Sequence, residues 1–345
     1  MDGMATISQQ PRLSVVIPIY NEEACLDTLL QRVSTVCRTH FSTSYEIILV
    51  NDGSSDASWS MIAAAADRDQ HIVGVNLSRN HGHQLALSAG LQVSTGETIF
   101  ILDADLQDPP ELLPQMLEKM GEGYDVVYGQ RISRAGESRF KLLTATLFYR
   151  TLQRMVDISI PPDTGDFRLI SRRVVDHLNA MPERFRFVRG MISWIGFRQA
   201  AFPYHRDSRL AGTTHYPLRK MISFALDAVT SFSILPLRFA SHLGVMLGIT
   251  GLASLGWVGW SYISAGAIAG WTSLAALILI MGSIQLMLLG IFGEYLGRMY
   301  METKQRPLFF VQEIRRSTPM APEEENPVHR MSERLRQGIS RKPAA

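Results

Sequence analysis

Between Arg238 and Glu294 the chain carries no aspartate, glutamate, lysine or arginine. A helix of about 20 apolar residues spans the hydrocarbon core of a bilayer, and this stretch holds two of them with a short turn between. Burying both inside a soluble protein is the alternative, which an uncharged run this long disfavours. The spans are predicted near Leu243–Ile263 and Trp271–Gly293. Trp257, Trp260, Tyr262 and Trp271 gather around the Ser264–Gly270 turn, as an aromatic belt at a membrane interface does. Arg238 precedes the first span, Arg298, Lys304 and Arg306 follow the second, and the turn is uncharged. The positive-inside rule then puts both flanks, and with them both termini, in the cytoplasm and the turn outside.

Just upstream, Leu218, Met221, Ile222, Ala225, Val229 and Phe232 recur at helical spacing, with Lys220, Ser223, Asp227, Thr230 and Ser231 largely off that stripe. An amphipathic helix beside a span is expected to lie in the membrane interface; packing on a soluble core is its alternative. The expected organisation is a first domain over 1–217, the interface helix over 218–236, two transmembrane helices over 237–300 and a cytoplasmic tail over 301–345. Leu308–Val311 is a candidate short strand within that tail. The N-terminal MDGMATISQQPR has no apolar core of the kind a signal peptide needs, so the first domain is expected to stay in the cytoplasm. A net charge of +2 gives no bulk basicity for nucleic acid, which is excluded as a partner. The two cysteines, Cys25 and Cys37, form no Cys-x-x-Cys pair and are expected to be reduced thiols.

The first 130 residues alternate apolar runs with helical segments. Leu13–Ile19, Glu46–Asp52, Ile72–Leu77, Thr98–Asp105 and Tyr124–Gly129 read as strands rich in valine, isoleucine and leucine. Continuous apolar strands of this kind belong to a mostly parallel sheet covered on both faces, hence an α/β domain. Such a sheet binds ligands beyond the carboxyl ends of its strands. The polar clusters fall there: Tyr20-Asn21-Glu22-Glu23, Asp52-Gly53-Ser54-Ser55-Asp56 and Asp103-Ala104-Asp105-Leu106-Gln107-Asp108. Downstream, a helix is expected over Ser138–Val156, then a strand at GDFRLIS and another helix.

Asp103 and Asp105 close an apolar strand two residues apart, so their carboxylates are expected on one side of it. Paired oxygens suit a hard cation, since Mg²⁺ combines one or two carboxylates with substrate phosphates. Asp-x-Asp alone is a weak signal, and Asp-Gly-Ser-Ser-Asp after a strand is often only a turn and helix cap. The information lies in the combination at three successive strand ends.

VVIPIYNEE, VNDGSSD, NHGHQLALSAGL, LDADLQDPPE and DTGDFRL, in this order, resemble glycosyltransferase family 2, whose catalytic domain has the GT-A fold. More narrowly they are similar to its polyprenyl-phosphate branch, which holds dolichol-phosphate mannose synthases and bacterial polyprenyl-phosphate glucosyltransferases. The resemblance covers residues 12–314, both spans included. It implies that Pro18, Tyr20, Glu22 and Asp52 line the nucleotide-base pocket, with Asp52 accepting a hydrogen bond from the base. By the same resemblance Asp103 approaches the ribose and diphosphate, while Asp105 and Gln107 hold Mg²⁺ or Mn²⁺. Asp166 and Arg168 would face the acceptor, with an intrastrand ion pair as their bland alternative, and Arg131 would meet the acceptor phosphate. Arg206, Arg209, Gly212, His215 and Tyr216 match a loop that closes over the diphosphate and acceptor phosphate. Two positions depart from the family pattern: His215 stands where a lysine is expected and His81 where phenylalanine or tyrosine is common.

The resemblance implies an inverting transferase that moves a hexose, glucose from UDP-glucose being the expected donor, onto a polyprenyl phosphate at the cytoplasmic membrane face. A phosphate monoester carries about −1.5 to −2 charge at neutral pH, so it needs positioning arginines more than a general base. A lipid-borne acceptor also accounts for the membrane helices; a homo-oligomer is compatible with them. A processive polysaccharide synthase is the nearest rival, but its Gln-x-x-Arg-Trp motif has no counterpart here. A catalytically inactive membrane scaffold or transporter subunit would have no use for the full acidic set.

Overall fold

The computed structural model describes residues 11–132, 164–206, 235–265 and 270–317. The helix expected over Ser138–Val156, the amphipathic helix of Leu218–Phe232, and Arg209, Gly212, His215 and Tyr216 lie outside them. Within them the chain runs β1 (Leu13–Ile19), α1 (Glu23–Phe41), β2 (Tyr45–Asn51), α2 (Ser58–Arg68), β3 (Ile72–Leu77), α3 (His83–Val93) and β4 (Thr98–Ile101). A single 3₁₀ turn, Pro110–Leu112, leads into α4 (Leu113–Gly121), followed by β5 (Val126–Arg131), β6 (Thr164–Ser171), α5 (Arg172–Ala180), α6 (Val188–Ile195) and β7 (Gln199–Tyr204). Two long helices, α7 (Leu235–Ala265) and α8 (Trp271–Thr303), precede the last strand, β8 (Val311–Arg315).

The strands form one eight-stranded sheet in the order β7-β5-β6-β4-β1-β2-β3-β8. β4, β1, β2 and β3 are mutually parallel, β6 runs antiparallel between β4 and β5, and β8 runs antiparallel along β3. Every residue of β1 and β2 is buried, which is why these strands read as unbroken apolar runs. Cys25, Leu26, Leu29 and Val33 of α1, Ile62 of α2 and Met116 of α4 cover one face, meeting Val15, Ile17, Leu49 and Phe100. Leu87 of α3, Val174 and Val175 of α5 and Met191 of α6 cover the other, meeting Val16, Ile48, Val50 and Ile99. The mostly parallel α/β architecture is as expected.

β1 is where the strand order reverses: β2 and β3 extend to one side and β4 to the other. At such a switch point the loops leaving adjacent carboxyl ends part and leave a crevice. The expected strand Thr98–Asp105 is shorter than its apolar run, since β4 ends at Ile101. Beyond it Asp105 bonds the local backbone: Gln107 N–H donates to Asp105 Oδ1 at 3.2 Å, and Leu106 takes a left-handed φ of 58°. Local side-chain bonding of this kind competes with the sheet ladder, so Asp103 and Asp105 lie in a loop and strand alternation does not align them. The final strand is likewise displaced from Leu308–Val311 to Val311–Arg315.

Among the described residues, Ile280–Thr303 within α8 is the one stretch that meets a length-and-composition criterion for crossing a membrane. The expectation of two spans is met at that level by one helix. Both long helices expose large apolar side chains, among them Ile249, Trp257, Trp260 and Ile263 of α7 and Leu286, Leu289 and Phe292 of α8.

Candidate active site at the carboxyl rim of the sheet

The rim has two neighbouring parts. In the first, the loops after β1, β2 and β3 are bound to one another. Asn21 N–H donates to Ser54 Oγ at 3.0 Å, Ser55 N–H to Asn21 Oδ1 at 2.8 Å and Glu22 N–H to Ser58 Oγ at 3.1 Å. Asp52 is buried, and its two oxygens accept the backbone N–H groups of His81, at 2.7 Å, and Gly82, at 2.9 Å. Burial raises its carboxyl above the ordinary range even against those two donors. Gly53 makes the close approach possible: it sits at φ 66°, and a Cβ there would stand 2.5 Å from the backbone of Arg79 and Asn80. Pro18 is buried in β1 while Tyr20 is half-exposed at its end. Pro18, Tyr20, Glu22 and Asp52 thus share one edge of the rim. His81, beside them, has a buried Nε2 without a hydrogen-bond partner, and burial lowers its pKa.

The second part centres on Asp166 of β6, which is almost wholly buried. Its Oδ2 accepts from Gln84 Nε2 at 2.9 Å and lies 3.1 Å from His83 Nε2, while Arg189 Nε stands 3.0 Å from Oδ1. Burial would raise this carboxyl, but Arg189, His83 and Arg168 outweigh it and hold the group below the usual carboxylate range. His83 Nε2 also faces Asp103 Oδ1 at 3.6 Å, and these two acids hold its imidazole above the ordinary histidine value despite burial. Arg168 is buried; it donates from Nη2 to Gly165 O at 2.8 Å and its Nε has no partner. Burial brings that guanidinium down to about 10.

Asp108, fully buried, accepts from the Tyr204 hydroxyl and from Arg206 Nε at 3.2 Å. Arg206 also reaches Asp105, Nη2 to Oδ2 at 3.6 Å. Arg131 lies across from Tyr204 in the β5–β7 pairing and hydrogen-bonds its side chain. A Cβ on Gly165 would sit 2.7 Å from Arg131 Nη2, so glycine is what lets the guanidinium lie over β6. The structure therefore gathers Asp103, Asp105, Arg131, Asp166, Arg168 and Arg206 on one side of the crevice.

His83, Gln84, Asp108, Arg189 and Tyr204 complete the site and were not singled out from the sequence. The NHGHQ string that carries His83 and Gln84 was legible as a motif, and the polar pair opening α3 was the available signal. Asp108 stood in the acidic cluster without a role of its own, and Tyr204 was readable only through its contact with it. Arg189, alone in an apolar helix, gave none.

A divalent cation fits this rim. Asp103 Oδ1 is buried without a hydrogen-bond donor, and burial together with the neighbouring acids raises the carboxyl to about 6 even with His83 beside it. That is a carboxylate short of positive charge. His83, Asp103 and Asp166 also bring ligand atoms within 4.8 Å of one another. Asp166 is already engaged by Arg189 and Gln84, and Asp105 by Arg206 and Gln107 N–H, so Asp103, whose Oδ1 has no donor, is the carboxylate here most open to a hard cation.

The profile of Glycosyl transferase family 2 matches residues 14–178. An uncharacterised glycosyltransferase of Bacillus subtilis, YkcC, is 45% identical over 307 residues, covering 89% of this chain and 95% of that protein. A prophage bactoprenol glucosyl transferase homolog of Escherichia coli is 37% identical over 306 residues, covering 88% and 100%. The SfII prophage-derived bactoprenol glucosyl transferase of Shigella flexneri is 35% identical over 309 residues, covering 89% and 100%.

Proposed function

The chain belongs to glycosyltransferase family 2, and from that premise we propose that it transfers glucose from UDP-glucose to a polyprenyl phosphate at a membrane surface. The observation that carries this reading is the mixture of charges on the rim. Acids and arginines interleave there, and Asp103 Oδ1, Arg131 Nε and Arg168 Nε are buried without hydrogen-bond partners. Buried polar atoms left unpaired are costly, and at a rim they are matched by charged ligands. A nucleoside diphosphate and a phosphate monoester bring that charge.

In the proposed mechanism the base and ribose lie along Pro18, Tyr20, Glu22 and Asp52, and the diphosphate along Asp103 and Asp105. Mg²⁺ or Mn²⁺ held by Asp105 and Gln107, beside Asp103, would offset the charge that builds on the departing nucleoside diphosphate. Arg131 and Arg168 orient the acceptor phosphate, whose oxygen forms a bond to the anomeric carbon as the bond to the diphosphate oxygen breaks. One in-line displacement inverts the anomeric configuration. Asp166, held ionised by Arg189 and His83, fixes the cationic side of the site. Arg206 and the residues that follow it, Arg209 and His215 among them, are assigned to the closing loop.

The membrane part of the reading is an interface helix over 218–236 and two spans within 237–300, with the catalytic domain on the cytoplasmic side. The bactoprenol-directed relatives support it, and so does the apolar exposure of both long helices. The test is direct. Protein in vesicles containing undecaprenyl phosphate, given labelled UDP-glucose and Mg²⁺, is expected to form a labelled glycolipid. Asp105→Asn is expected to lose about 100-fold or more of this activity, as removal of a transition-state electrostatic contact does, and EDTA to abolish it. Undiminished transfer in either case rules out the metal assignment, and label that never enters lipid rules out the acceptor.

A further inference from the structure

The acceptor side of the site is built onto the last turns of α8. Arg184 N–H donates to Glu302 Oε1 at 2.9 Å, and Arg184 Nη1 donates to Arg306 O at 2.6 Å. One helical turn earlier, the Arg298 guanidinium stacks 4.2 Å above the Phe185 ring. The segment joining α5 to α6 thus grips the end of α8 through three contacts. Its inner side is held equally well. Arg186, buried between them, donates to Met181 O at 2.9 Å and Leu178 O at 3.1 Å. Val188 N–H donates to Gln84 Oε1 at 2.9 Å, and the same Gln84 side chain donates to Asp166. Arg189, the next residue, pairs with Asp166 and donates to Thr164 O at 2.7 Å. Only a few covalent bonds therefore separate the groups that touch α8 from those that hold the buried carboxylate.

The other side of α8 is tied down as well. The chain leaves the helix and enters β8, which pairs with β3 from Gly74 to Leu77, and Ser78 N–H donates to Phe310 O at 2.9 Å. Anchored to the sheet edge through β8 and to the α5–α6 segment through Glu302, the helix end cannot tilt against the site without breaking one set of bonds.

We propose that Arg184 and Phe185 form a strut, closed by Glu302 and Arg298, that sets the height of the acceptor side of the site above the membrane. This rests on the reading of a lipid-borne acceptor. A phosphate carried on a lipid arrives at a fixed depth, so a site held at the wrong height or tilt meets it rarely. A phosphate free in water has no such constraint. Small misplacements of this kind cost reaction rate without any change in the reacting groups.

The strut is tested with two acceptors. One is undecaprenyl phosphate in vesicles of phosphatidylethanolamine and phosphatidylglycerol; the other is a short-chain prenyl phosphate added from water. Glu302→Ala is expected to raise KM for the vesicle-borne acceptor about 10-fold and to leave both constants for the short acceptor within about 2-fold. Glu302→Gln, whose amide oxygen still accepts from Arg184 N–H, is expected to behave as wild type. Phe185→Ala should act in the same direction as Glu302→Ala. Equal losses with both acceptors, or none with either, would overturn the strut. Wild-type protein that transfers to neither acceptor would overturn the functional reading, and the strut with it.

Discussion

Asp166 has three partners on two oxygens, Gln84, His83 and Arg189, and each can be removed separately. Arg189 supplies the main counter-charge, so Arg189→Ala leaves a buried carboxylate short of its partner. Removing one member of a buried pair costs about 3–5 kcal/mol, and a value nearer 2 kcal/mol is expected here because the arginine is partly exposed. For a domain this size that lowers the melting temperature by roughly 4–8 °C, a shift that scanning fluorimetry in detergent would detect. His83 is a smaller structural support, and Gln84 and Arg189 remain when it is lost. His83→Ala is therefore expected to fold normally and to lose about 10-fold in kcat, the value of one charge-assisted hydrogen bond. A His83→Ala protein with unchanged kcat would remove the imidazole from the site. A third residue, Cys37, gives a control: burial pushes its thiol up to about 12, and Cys25, near the other end of α1, is buried as well. Neither is expected to react with a maleimide at pH 7.5 until the protein is unfolded. The acids at the strand ends were legible in the sequence because they cluster in short strings. Arg206 was read from the resemblance, but Arg189, the main partner of Asp166, was not, since it comes from a helix about twenty residues downstream and only the fold brings the two together.

At the scale of elements, the close approach of α3 to the sheet places His83 over Asp166. A Cβ on Gly90 would stand 2.3 Å from Val16 Cγ1 and 3.0 Å from Val50 Cγ2, so this helix lies against β1 and β2 with no room for a methyl group. Gly90→Ala is expected to destabilise the domain by about 1–3 kcal/mol, as overpacking does. It should also weaken activity beyond the loss of folded protein, because His83 sits at the first turn of the displaced helix. Normal activity per folded molecule would show that the position of α3 is not coupled to the site. The strands themselves were readable: β1 and β3 match their predicted ends, and β2 differs by one residue at each end. β4 was not, because composition carries the apolar signal to Leu102 while the chain beyond it turns away, with Asp105 accepting a local backbone N–H. β8 was read too early for a related reason. Leu308, Phe309 and Phe310 are the apolar residues, yet the sheet edge pairs with the more polar Val311–Arg315, and an edge strand buries little on its outer side.

For the whole molecule, the charge pattern makes the proposed arrangement of the two long helices in a bilayer testable. At 1.5 Å per residue α7 and α8 are each about 45–50 Å long, more than the roughly 30 Å of a hydrocarbon core. Helices of this length that span a bilayer would project beyond it, and the end of α8 carries Arg298 and Glu302, with Lys304 just after it. Glu302 meets Arg184 and Arg298 meets Phe185 of the α/β domain, so in this arrangement the domain lies on the side where α8 ends. In the proposed arrangement the positive-inside rule makes that side the cytoplasm and puts the turn between the helices outside. Trp257 and Trp260, exposed near the other end of α7, suit the outer interface. Cysteine labelling can decide the matter because the two native thiols are buried. A cysteine at Ala267 is expected to react with a membrane-impermeant maleimide on intact cells, and one at Ala5 only after the membrane is opened. Labelling at Ala5 alone would invert the topology and place the site away from cytoplasmic nucleotide-sugar, whereas labelling at neither on intact cells would mean that the hydrophobic pair enters the membrane without crossing it.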